Sequence, residues 1–342
     1  MKKLRIAQVG PLDESVPPKK YGGTERIVHH LTEGLVDKGH QVTLFASGDS
    51  KTRAKLIAGT PLSLSKMGEK INGQVAHLFS FTKVVEMQKK FDIIHNHTGW
   101  RFLPFVKFLN TPVINTYHSY FFERTRFFFK YFKKEPFVFL SNNQRSSVPF
   151  LKSAGIVYNC VDTKNFDFSN NPKNYFLFLG RVSPLKGVFE AIQVAKKTGI
   201  KLIIAGKNED LNYFNKKVKP FLGLKNISYI GEIGGKEKIR IIKNAKALLF
   251  PIQWEEPFGL VMIEAMACGT PVIAFRKGAV PEVIKDKETG FIVNNIDEMA
   301  KKINKIDIIE RKKCREWVIE NFNVEKMVNG YEKIYYKILN KK

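Results

Sequence analysis

The chain contains the stretch Ala247-Leu-Leu-Phe-Pro-Ile-Gln-Trp-Glu-Glu-Pro-Phe-Gly-Leu-Val-Met-Ile-Glu-Ala-Met-Ala-Cys-Gly-Thr-Pro-Val-Ile-Ala-Phe275, in which two short apolar runs flank a helical segment. A short run that is apolar throughout is typical of a strand buried on both faces. A helix between two such strands predicts that they are parallel. We therefore expect a strand, helix, strand unit over residues 247–275.

The same pattern recurs along the chain and predicts two doubly wound α/β halves. The other apolar runs are residues 4–9, 41–46, 92–95, 112–117, 137–140, 175–179, 201–205, 227–230 and 290–293. The polar segment 162–172 separates the two series and is the best candidate for a linker. We expect an N-terminal domain over residues 1–165, a second domain over 166–322 and an amphipathic C-terminal helix over 323–342.

Composition favours a cytoplasmic protein of two domains, because 342 residues with 44% hydrophobic content can bury sizeable cores. No apolar run reaches the roughly 18 residues of a membrane-spanning helix, and the N-terminal apolar run is too short for a signal peptide. Cys160, Cys268 and Cys314 lie far apart without metal-binding spacing, so we expect thiols with no catalytic role.

The net charge of +25 has two interpretations. It invites a polyanionic partner, either nucleic acid or an anionic membrane surface. However, only 12 of the 57 basic residues are Arg, the side chain that binds phosphate best, and the chain is rich in Asn, Ile and Phe. Drift in genome composition therefore explains the charge better than selection for a phosphate-binding surface.

Two carboxylates flank the turn into the helix of the opening stretch. Glu256 precedes the turn Phe258-Gly259-Leu260, and Glu264 lies two helical turns further on. Both carboxylates can face one ligand together with the unpaired amides of the first helical turn. The spacing suits a ligand that carries hydroxyls and phosphates, although a glycosidase acid and base pair is an alternative.

Two basic residues follow the apolar run 175–179, in Gly180-Arg181-Val-Ser-Pro-Leu-Lys186-Gly187. A lone basic residue in such a loop is usually surface decoration. Two cations held beside a helix N-terminus can instead neutralise a diphosphate and stabilise it as a leaving group. We therefore predict that Arg181 and Lys186 bind a phosphorylated ligand.

The N-terminal half has two further candidates. Gly22 and Gly23 precede a helix that begins near Thr24, a pattern that suits either an anion-binding loop or a tight turn with Thr24 as N-cap. His118 follows the apolar run 112–117, and His95-Asn96-His97 comes directly after Asp92-Ile-Ile, and both are positions where site residues gather. A structural histidine is the alternative in each case, and we predict no metal site at the His95 triplet.

Together these motifs resemble the donor site of the retaining nucleotide-sugar glycosyltransferases of family 4. The matches span residues 5–291 in the order expected of that family. The resemblance implies the GT-B architecture, in which two Rossmann-like domains face each other across a cleft and the C-terminal helix crosses back to the N-terminal domain. Residues 8–25 and 43–49 are most similar to the branch that contains an avilamycin-pathway enzyme and a pterin glucosyltransferase.

The resemblance also implies roles for the site residues. Those matching Arg181 and Lys186 grip the donor diphosphate, and the one matching Glu264 binds the donor ribose. Glu256 would contact hydroxyls of the transferred sugar. The remaining donor contacts implied are the amides of Phe258, Gly259 and Leu260, the loop Gly22, Gly23 and Thr24 under the reacting phosphate, and His118 beside the sugar. The chain departs from the family at Cys160 and at Gly278-Ala279, where the family usually has Gly and Gly-Gly.

From these observations we expect a metal-independent hexosyltransferase that uses UDP-glucose or a similar nucleotide sugar as co-substrate and needs no cofactor. Its acceptor would be a small molecule, a glycan or a lipid-linked hydroxyl, with residues 51–70 and 120–134 shaping the acceptor site. Peripheral contact with the anionic inner face of the membrane is a further expectation. The alternatives are a sugar-nucleotide epimerase of the same fold and a protein that binds or modifies DNA, although the shortage of Arg argues against nucleic acid.

Overall fold

The structure is a computed structural model that describes residues 2–340. The chain forms two compact units. The first runs to Cys160 and includes the chain from Val324 onward, and the second spans Val161–Asn323. We expected boundaries after residues 165 and 322. The first boundary lies earlier because Val161 N–H donates to the Phe322 carbonyl at 2.9 Å, which ties this segment to the second unit.

Within residues 2–340, the first unit contains a seven-stranded parallel sheet of order β3-β2-β1-β4-β5-β6-β7. Its strands are β1 Arg5–Val9, β2 Gln41–Ser47, β3 Lys55–Thr60, β4 Ile93–Asn96, β5 Val113–Thr116, β6 Phe137–Phe139 and β7 Ser153–Ile156. Its helices are α1 Gly23–Asp37, α2 Leu64–Met67, α3 Gly73–Met87, α4 Arg126–Tyr131, α5 Asn142–Ser147 and α13 Val324–Leu339. The sheet is doubly wound, because the strand order reverses between β1 and β4.

The second unit, all of which the structure describes, contains a six-stranded parallel sheet of order β10-β9-β8-β11-β12-β13. Its strands are β8 Phe176–Leu179, β9 Leu202–Ala205, β10 Ile227–Tyr229, β11 Ala247–Phe250, β12 Val272–Phe275 and β13 Gly290–Val293. Its helices are α6 Val188–Thr198, α7 Leu211–Lys217, α8 Gly235–Asn244, α9 Leu260–Ala267, α10 Val280–Val283, α11 Ile296–Ile303 and α12 Arg311–Asn321. The predicted fold class of two doubly wound α/β domains is confirmed.

Every apolar run identified in the sequence contains a strand, but two strands were missed. These are β3 and β7, the two edges of the first sheet. Both lack a continuous buried apolar run, since β3 is only partly buried over much of its length and β7 is the short Ser-Ala-Gly-Ile segment. An edge strand needs little apolar burial, so the rule that detects central strands does not detect it.

The C-terminal helix α13 packs on α1 in the first unit. Of the predicted apolar stripe, Met327, Val328, Tyr331, Ile334 and Tyr335 are buried. The two helices approach closely, since a Cβ on the glycine at position 34 would lie 2.5 Å from a methyl group of Val328. The end of the expected helix, residues 341–342, lies outside the described residues.

The expected linker, residues 162–172, is fastened to the second unit by two arginines of α12. Arg311 donates from Nε to the Ser169 carbonyl at 2.6 Å, and Arg315 donates to the carbonyls of Thr163 and Phe166. Among residues 2–340, none of the helices combines the length and the hydropathy needed to span a bilayer.

Residues 120–134 divide between core and surface. Phe121 and Phe129 belong to the aromatic core of the first unit and are fully buried. On the same segment, Phe127 and Tyr131 are 76% and 72% exposed. The aromatic cluster therefore serves packing on one face of α4 and leaves a second face open to solvent.

Candidate functional site

The predicted site residues of the second unit lie at the point where its strand order reverses. Ligands of open parallel sheets bind outside the carboxyl ends of the strands at this point, because the loops diverge there. Arg181 and Lys186 lie in the loop after β8, and Glu256 lies in the loop after β11. Since β8 and β11 are neighbours in the sheet, the topology brings these two loops together.

Lys186 and Glu256 form an ion pair there, with 2.5 Å between Nζ and Oε2. The indole N–H of Trp254 donates to the same oxygen at 2.9 Å, and the Lys186 ammonium lies 5.1 Å from the centre of the Trp254 ring. Both charged side chains are largely buried. Two donors therefore fix the Glu256 carboxylate in one orientation while its charge is compensated.

Glycines allow the backbone around this pair to pack closely. A Cβ at Gly187, where φ is 77°, would lie 1.8 Å from the Pro251 carbonyl oxygen. A Cβ at Gly278, where φ is 57°, would lie 2.2 Å from the Glu256 carbonyl oxygen, which accepts a hydrogen bond from the Ala279 amide at 2.9 Å. The family departure at Gly278-Ala279 therefore keeps the one glycine that this contact requires.

Glu264 lies on the buried helix α9 and pairs with a residue that the sequence did not indicate. Its Oε1 is 2.6 Å from Nζ of Lys238, on α8, and both side chains are largely buried. Glu264 is buried because its neighbours on α9 are apolar and buried nearly all round the helix. A carboxylate removed from water in this way needs the lysine as its counter-charge.

Arg181 pairs with Glu209 rather than with either predicted glutamate. One guanidinium nitrogen lies 3.0 Å from the Glu209 carboxylate, and Lys207 Nζ lies 3.8 Å from the other oxygen of the same group. About a third of the Arg181 side chain is exposed. Because solvent reaches this pair, its attraction is screened and an incoming anion can compete with Glu209 for Arg181.

The turn Phe258-Gly259-Leu260 places a helix N-terminus beside Glu256. Gly259 is the N-cap of α9 with a left-handed backbone, φ 85°, and Leu260 is the first helical residue. The first amides of a helix have no intrahelical acceptor, so they are donors for a ligand. The Phe258 side chain is buried against Phe322, with 5.6 Å between ring centres, and so has a packing role.

In the first unit, Gly22 is the N-cap of α1 and Gly23 and Thr24 are its first two residues. The alternative in which Thr24 is the N-cap is therefore wrong, and no side chain caps this helix end. Glu25 follows and is only 5% exposed. Burial raises its pKa to about 7, and the nearby Asp13 and Glu14 carboxylates add to that rise.

His118 is hydrogen-bonded to His97, with 2.9 Å between Nε2 of His118 and Nδ1 of His97. The two rings are stacked, with centres 5.2 Å apart. Burial lowers the pKa of His118 to about 3 and holds the pKa values of His95 and His97 well below 6.5. All three rings are neutral near pH 7, so His118 can exchange hydrogen bonds with a ligand but is a poor base.

Several partners of the predicted residues escaped the sequence analysis. Glu209 and Lys238 lie 28 and 26 positions from their partners Arg181 and Glu264, and no local spacing links them. Trp254 lies two residues before Glu256, but in an irregular loop where no regular pattern predicts side-chain contacts. The placement of Glu209 and Trp254 after strands β9 and β11 was the one available signal. Lys238 lies inside an amphipathic helix, where a lysine is expected on the solvent face.

The three cysteines are free and buried. Burial raises the pKa of Cys268 and of Cys314 to about 12, so both are protonated thiols and weak nucleophiles at neutral pH. Among residues 2–340, no three His, Cys, Asp or Glu side chains are grouped so that they could hold a metal ion.

Each of the two units matches a protein-family model. Residues 21–165 match the model described as Glycosyltransferase Family 4, and residues 162–323 match the model described as Glycosyl transferases group 1. An uncharacterized glycosyltransferase of Methanocaldococcus jannaschii, MJ1178, is 30% identical over 195 residues. That alignment covers 54% of this chain and 53% of the relative, which is about half of each protein.

Solved structures show the same fold over the whole chain. AviGT4, a glycosyltransferase involved in avilamycin A biosynthesis, superposes with a TM-score of 0.75 at 23% identity and 99% coverage of both chains. Anabaena HepE in complex with UDP and glucose superposes with a TM-score of 0.76 at 14% identity, covering 98% of this chain and 100% of HepE.

The two family models, both described as glycosyltransferases, together account for residues 21–323. The parallel sheets of both units, the site at the reversal of strand order in the second unit and the solved structures all agree with them. The chain therefore belongs to the glycosyltransferases of GT-B fold that combine a family 4 domain with a group 1 domain.

Proposed function

We propose that this glycosyltransferase transfers a hexose, with retention of anomeric configuration and without a metal, from a UDP-sugar such as UDP-glucose to a hydroxyl acceptor. The acceptor belongs to the small molecules, glycans or lipid-linked sugars. The fold match to HepE, whose structure contains UDP and glucose, supports the donor class. The observation that carries the proposal is the arrangement of Lys186, Trp254 and Glu256 at the reversal of strand order.

That arrangement leaves half of the carboxylate available. Both Lys186 and Trp254 contact Oε2 of Glu256, and within residues 2–340 no hydrogen bond reaches Oε1. The same holds for Glu264, whose Oε1 is held by Lys238 while Oε2 has no hydrogen-bond partner in the described chain. A carboxylate oriented by one oxygen can accept hydroxyl hydrogens with the other, as binding of a sugar and a ribose requires.

The donor diphosphate would be held by cations and amides. Lys186 lies beside the carboxylate, Arg181 is partly open to solvent and the N-terminus of α9 faces the same loop. These groups stabilise the negative charge that develops as the bond from the sugar to the phosphate breaks. In the front-face mechanism we propose, the acceptor hydroxyl attacks from the side on which the diphosphate leaves, and the leaving phosphate takes the hydroxyl proton.

In the first unit, His118 would accept a hydrogen bond from a hydroxyl of the transferred sugar, since its ring is neutral at working pH. The loop Gly22-Gly23-Thr24 would approach the reacting phosphate through the backbone amides at the start of α1. Neither role needs a side chain to become charged or to form a covalent bond with the sugar.

Thermal unfolding tests the donor. We expect UDP and UDP-glucose to raise Tm equally with magnesium or with EDTA, while GDP and ADP have smaller effects. A ligand at 100 times its Kd stabilises the folded state by about 2.7 kcal/mol. The Arg181→Ala variant should lose most of the shift produced by UDP. No shift with any nucleotide in folded protein would contradict the assignment of the donor site.

The product tests the reaction. Incubation with UDP-glucose and a panel of hydroxyl acceptors, followed by NMR, should give a product whose anomeric configuration is that of the donor. A changed sugar in the absence of acceptor would instead indicate the epimerase. Retention on DNA that falls steeply with salt would favour the nucleic-acid alternative.

We further propose that the first unit contacts an anionic membrane through the aromatic-basic surface, defined by Trp100, Arg101, Lys107, Phe108, Phe127 and Tyr131. Phe108 is 72% exposed, like Tyr131, and the Lys107 ammonium lies 5.7 Å from the Tyr131 ring centre. The Arg101 guanidinium lies 5.6 Å from the Trp100 ring. Exposed aromatic rings beside cations suit the boundary between lipid headgroups and acyl chains.

Co-sedimentation with liposomes tests this contact. We expect binding to phosphatidylglycerol vesicles, weaker binding to phosphatidylcholine vesicles, and loss of binding in the Phe127→Ser/Tyr131→Ser double variant. Leu211→Ser is the matched control, because this residue is 70% exposed on the second unit. Binding that is independent of anionic lipid, or lost equally in the control, would remove the proposal.

A further inference from the structure

A continuous chain of hydrogen bonds runs through the first unit from His118 to the C-terminal helix. Its side chains lie on the strands β1, β4 and β5, on the loops that follow β4 and β5, and on α13. In order from the site they are His118, His97, Gln8, Tyr335, His95, Thr116 and Tyr331. All except His118, which is partly buried, are fully or almost fully buried. Neither the predicted fold nor the proposed reaction explains this chain of hydrogen bonds.

Gln8 lies at its centre. Its Oε1 is 2.8 Å from Nε2 of His97, and its Nε2 is 3.1 Å from the Tyr335 hydroxyl. Tyr335 connects in turn to Nδ1 of His95 at 2.7 Å. Tyr335 is on α13, so the C-terminal helix reaches the interior of the sheet and bonds to residues of two different strands.

The hydrogen-bond chain also ends on α13. His95 Nε2 lies 2.8 Å from the Thr116 hydroxyl oxygen, and Thr116 donates to the Tyr331 hydroxyl at 3.3 Å. Tyr331 and Tyr335 are four residues apart, so they share one face of α13. Burial raises the pKa of both tyrosines, which therefore keep their hydroxyl hydrogens.

The amide of Gln8 gives the chain one direction, because its oxygen only accepts and its nitrogen only donates. Oε1 therefore requires a hydrogen on Nε2 of His97. A neutral imidazole carries one hydrogen, so Nδ1 of His97 is an acceptor and Nε2 of His118 must be the donor. Nδ1 of His118 is left with a free lone pair.

The Gln8 amide also fixes the donors and acceptors between Tyr335 and Thr116. The Gln8 nitrogen donates to the Tyr335 oxygen, so the Tyr335 hydrogen points to Nδ1 of His95. Nε2 of His95 then carries the hydrogen and donates to Thr116. Every ring nitrogen in the chain has a defined role in this arrangement. Rotating the Gln8 amide by half a turn would reverse each donor and acceptor and move the His118 hydrogen to Nδ1.

We propose that Gln8 and Tyr335 are positioning residues that hold His118 as its Nε2–H tautomer, with Nδ1 presented as an acceptor to a substrate hydroxyl. The helix α13 thus does more than cover the sheet. Its Tyr335 hydroxyl is hydrogen-bonded to the Gln8 amide, and the orientation of that amide determines which nitrogen of His118 carries the hydrogen. The contact of His118 with the sugar rests on the proposed function. The tautomer itself does not.

The tautomer can be measured in the ligand-free protein. In ¹⁵N-labelled protein, ring nitrogen shifts distinguish protonated from bare nitrogens, and a His118→Gln variant assigns the resonances. We expect the Nε2–H form of His118 in the wild type and a mixture of tautomers in Gln8→Met and in Tyr335→Phe. Tyr331→Phe is the matched control. It also removes a tyrosine hydroxyl from α13, but Tyr331 lies at the end of the hydrogen-bond chain furthest from His118. The tautomer of His118 should therefore be that of the wild type.

Kinetics supply the second readout. Loss of one hydrogen bond of about 1.4 kcal/mol corresponds to a tenfold change. We expect kcat/KM for the donor sugar nucleotide to fall about tenfold in Tyr335→Phe. The Kd of UDP should change little, because UDP lacks the transferred hexose that would contact His118. Tyr331→Phe should change kcat/KM less than twofold.

An Nδ1–H tautomer in the wild type, or a wild-type tautomer in both Gln8→Met and Tyr335→Phe, would overturn the inference. Far-UV circular dichroism would detect a loss of folding in Gln8→Met. In that case Tyr335→Phe tests the inference by itself. If the tautomers behave as expected but no UDP binding or transfer occurs, the proposed function fails and the positioning role of Gln8 and Tyr335 stands.

Discussion

The two units share one topology but build their sites from different chemistry. In the second unit the carboxyl ends of the strands carry buried ion pairs, Lys186 with Glu256 and Lys238 with Glu264. In the first unit the corresponding positions carry neutral rings, His97 and His118, and the buried carboxyl of Glu25. One site compensates its charges in pairs, whereas the other suppresses charge by burial.

This difference follows from the cost of removing charge from water. A buried charge is tolerated when a partner of opposite sign and further donors satisfy it, as Lys186 and Trp254 satisfy Glu256. Where no such partner is present, the ionisable group shifts its pKa toward the neutral form, as Glu25 and His118 do. The paired site is suited to an anionic ligand and the neutral site to hydroxyl groups.

The largest effect should come from breaking the ion pair in the second unit. Lys186→Met leaves the Glu256 charge buried without its partner. We expect the free energy of unfolding to fall by about 3–5 kcal/mol. Loss of a group that stabilises the leaving diphosphate should also lower kcat by about 10²–10³-fold. Urea unfolding and initial rates measure the two effects.

A second substitution separates stability from activity. Lys186→Met/Glu256→Gln should recover much of the stability, because no buried charge remains, but none of the turnover. Lys197→Met is the control, since its pair with Asp297 is mostly exposed and solvent screens the attraction, so its removal should change stability little. Turnover restored in the double variant would show that Lys186 has no role with the diphosphate.

Glu25 tests the neutral site through pH. Its folded pKa of about 7 lies above 4.5, so the folded state holds the proton more tightly than the unfolded state. Stability from this group is present below pH 4.5 and is lost as pH rises toward 7, by about 3 kcal/mol in total. Glu25→Gln should therefore be more stable than the wild type at pH 8, and the difference should shrink as the pH approaches 5.

The buried histidines act in the opposite direction. Because their folded pKa values lie below 6.5, the unfolded state gains protons first as pH falls, and stability is lost below pH 6.5. Comparing the wild type with Glu25→Gln at each pH cancels this contribution. Parallel curves of unfolding free energy against pH would show that Glu25 is not the group that titrates.

Gly278 tests the close packing around the ion pair. Gly278→Ala forces a left-handed alanine against the Glu256 backbone, whereas Gly199→Ala, at φ 72°, meets no atom within 4 Å. We expect a loss of about 1 kcal/mol at position 199 and about 2 kcal/mol more at position 278. Chemical denaturation measures both. Equal losses would mean that the Glu256 loop moves away without cost.

The smallest effect should come from Trp254→Phe, which keeps a ring beside Lys186 but removes the N–H that orients Glu256. Loss of one hydrogen bond to a charged group should cost about 1.5 kcal/mol. We expect kcat/KM for the donor to fall about tenfold, with no change in the Kd of UDP. A change in UDP affinity would indicate that Trp254 acts on the nucleotide, and not through the Glu256 carboxylate that would contact the sugar.

The order of elements was accessible from sequence because central parallel strands are buried on both faces. The strand β11 and the helix α9 are as apolar as their burial requires. The edges β3 and β7 were not predicted, because one side of an edge strand faces solvent and its sequence is under weaker constraint. The residue type of Thr24 allows it to be an N-cap, but the N-cap of α1 is Gly22, two residues earlier than that alternative places it.

The sequence by itself determined the two doubly wound halves and the loops that carry Arg181, Lys186, Glu256 and Glu264, because strand burial and turn chemistry are local properties. Only the tertiary structure decided which groups meet. The pairing of Glu264 with Lys238 and the chain from His118 to Tyr335 join residues from different elements, the second across more than 200 positions. No periodicity encodes such contacts, because they arise when parallel strands and packed helices bring distant side chains into one buried volume, where each polar group must find a partner.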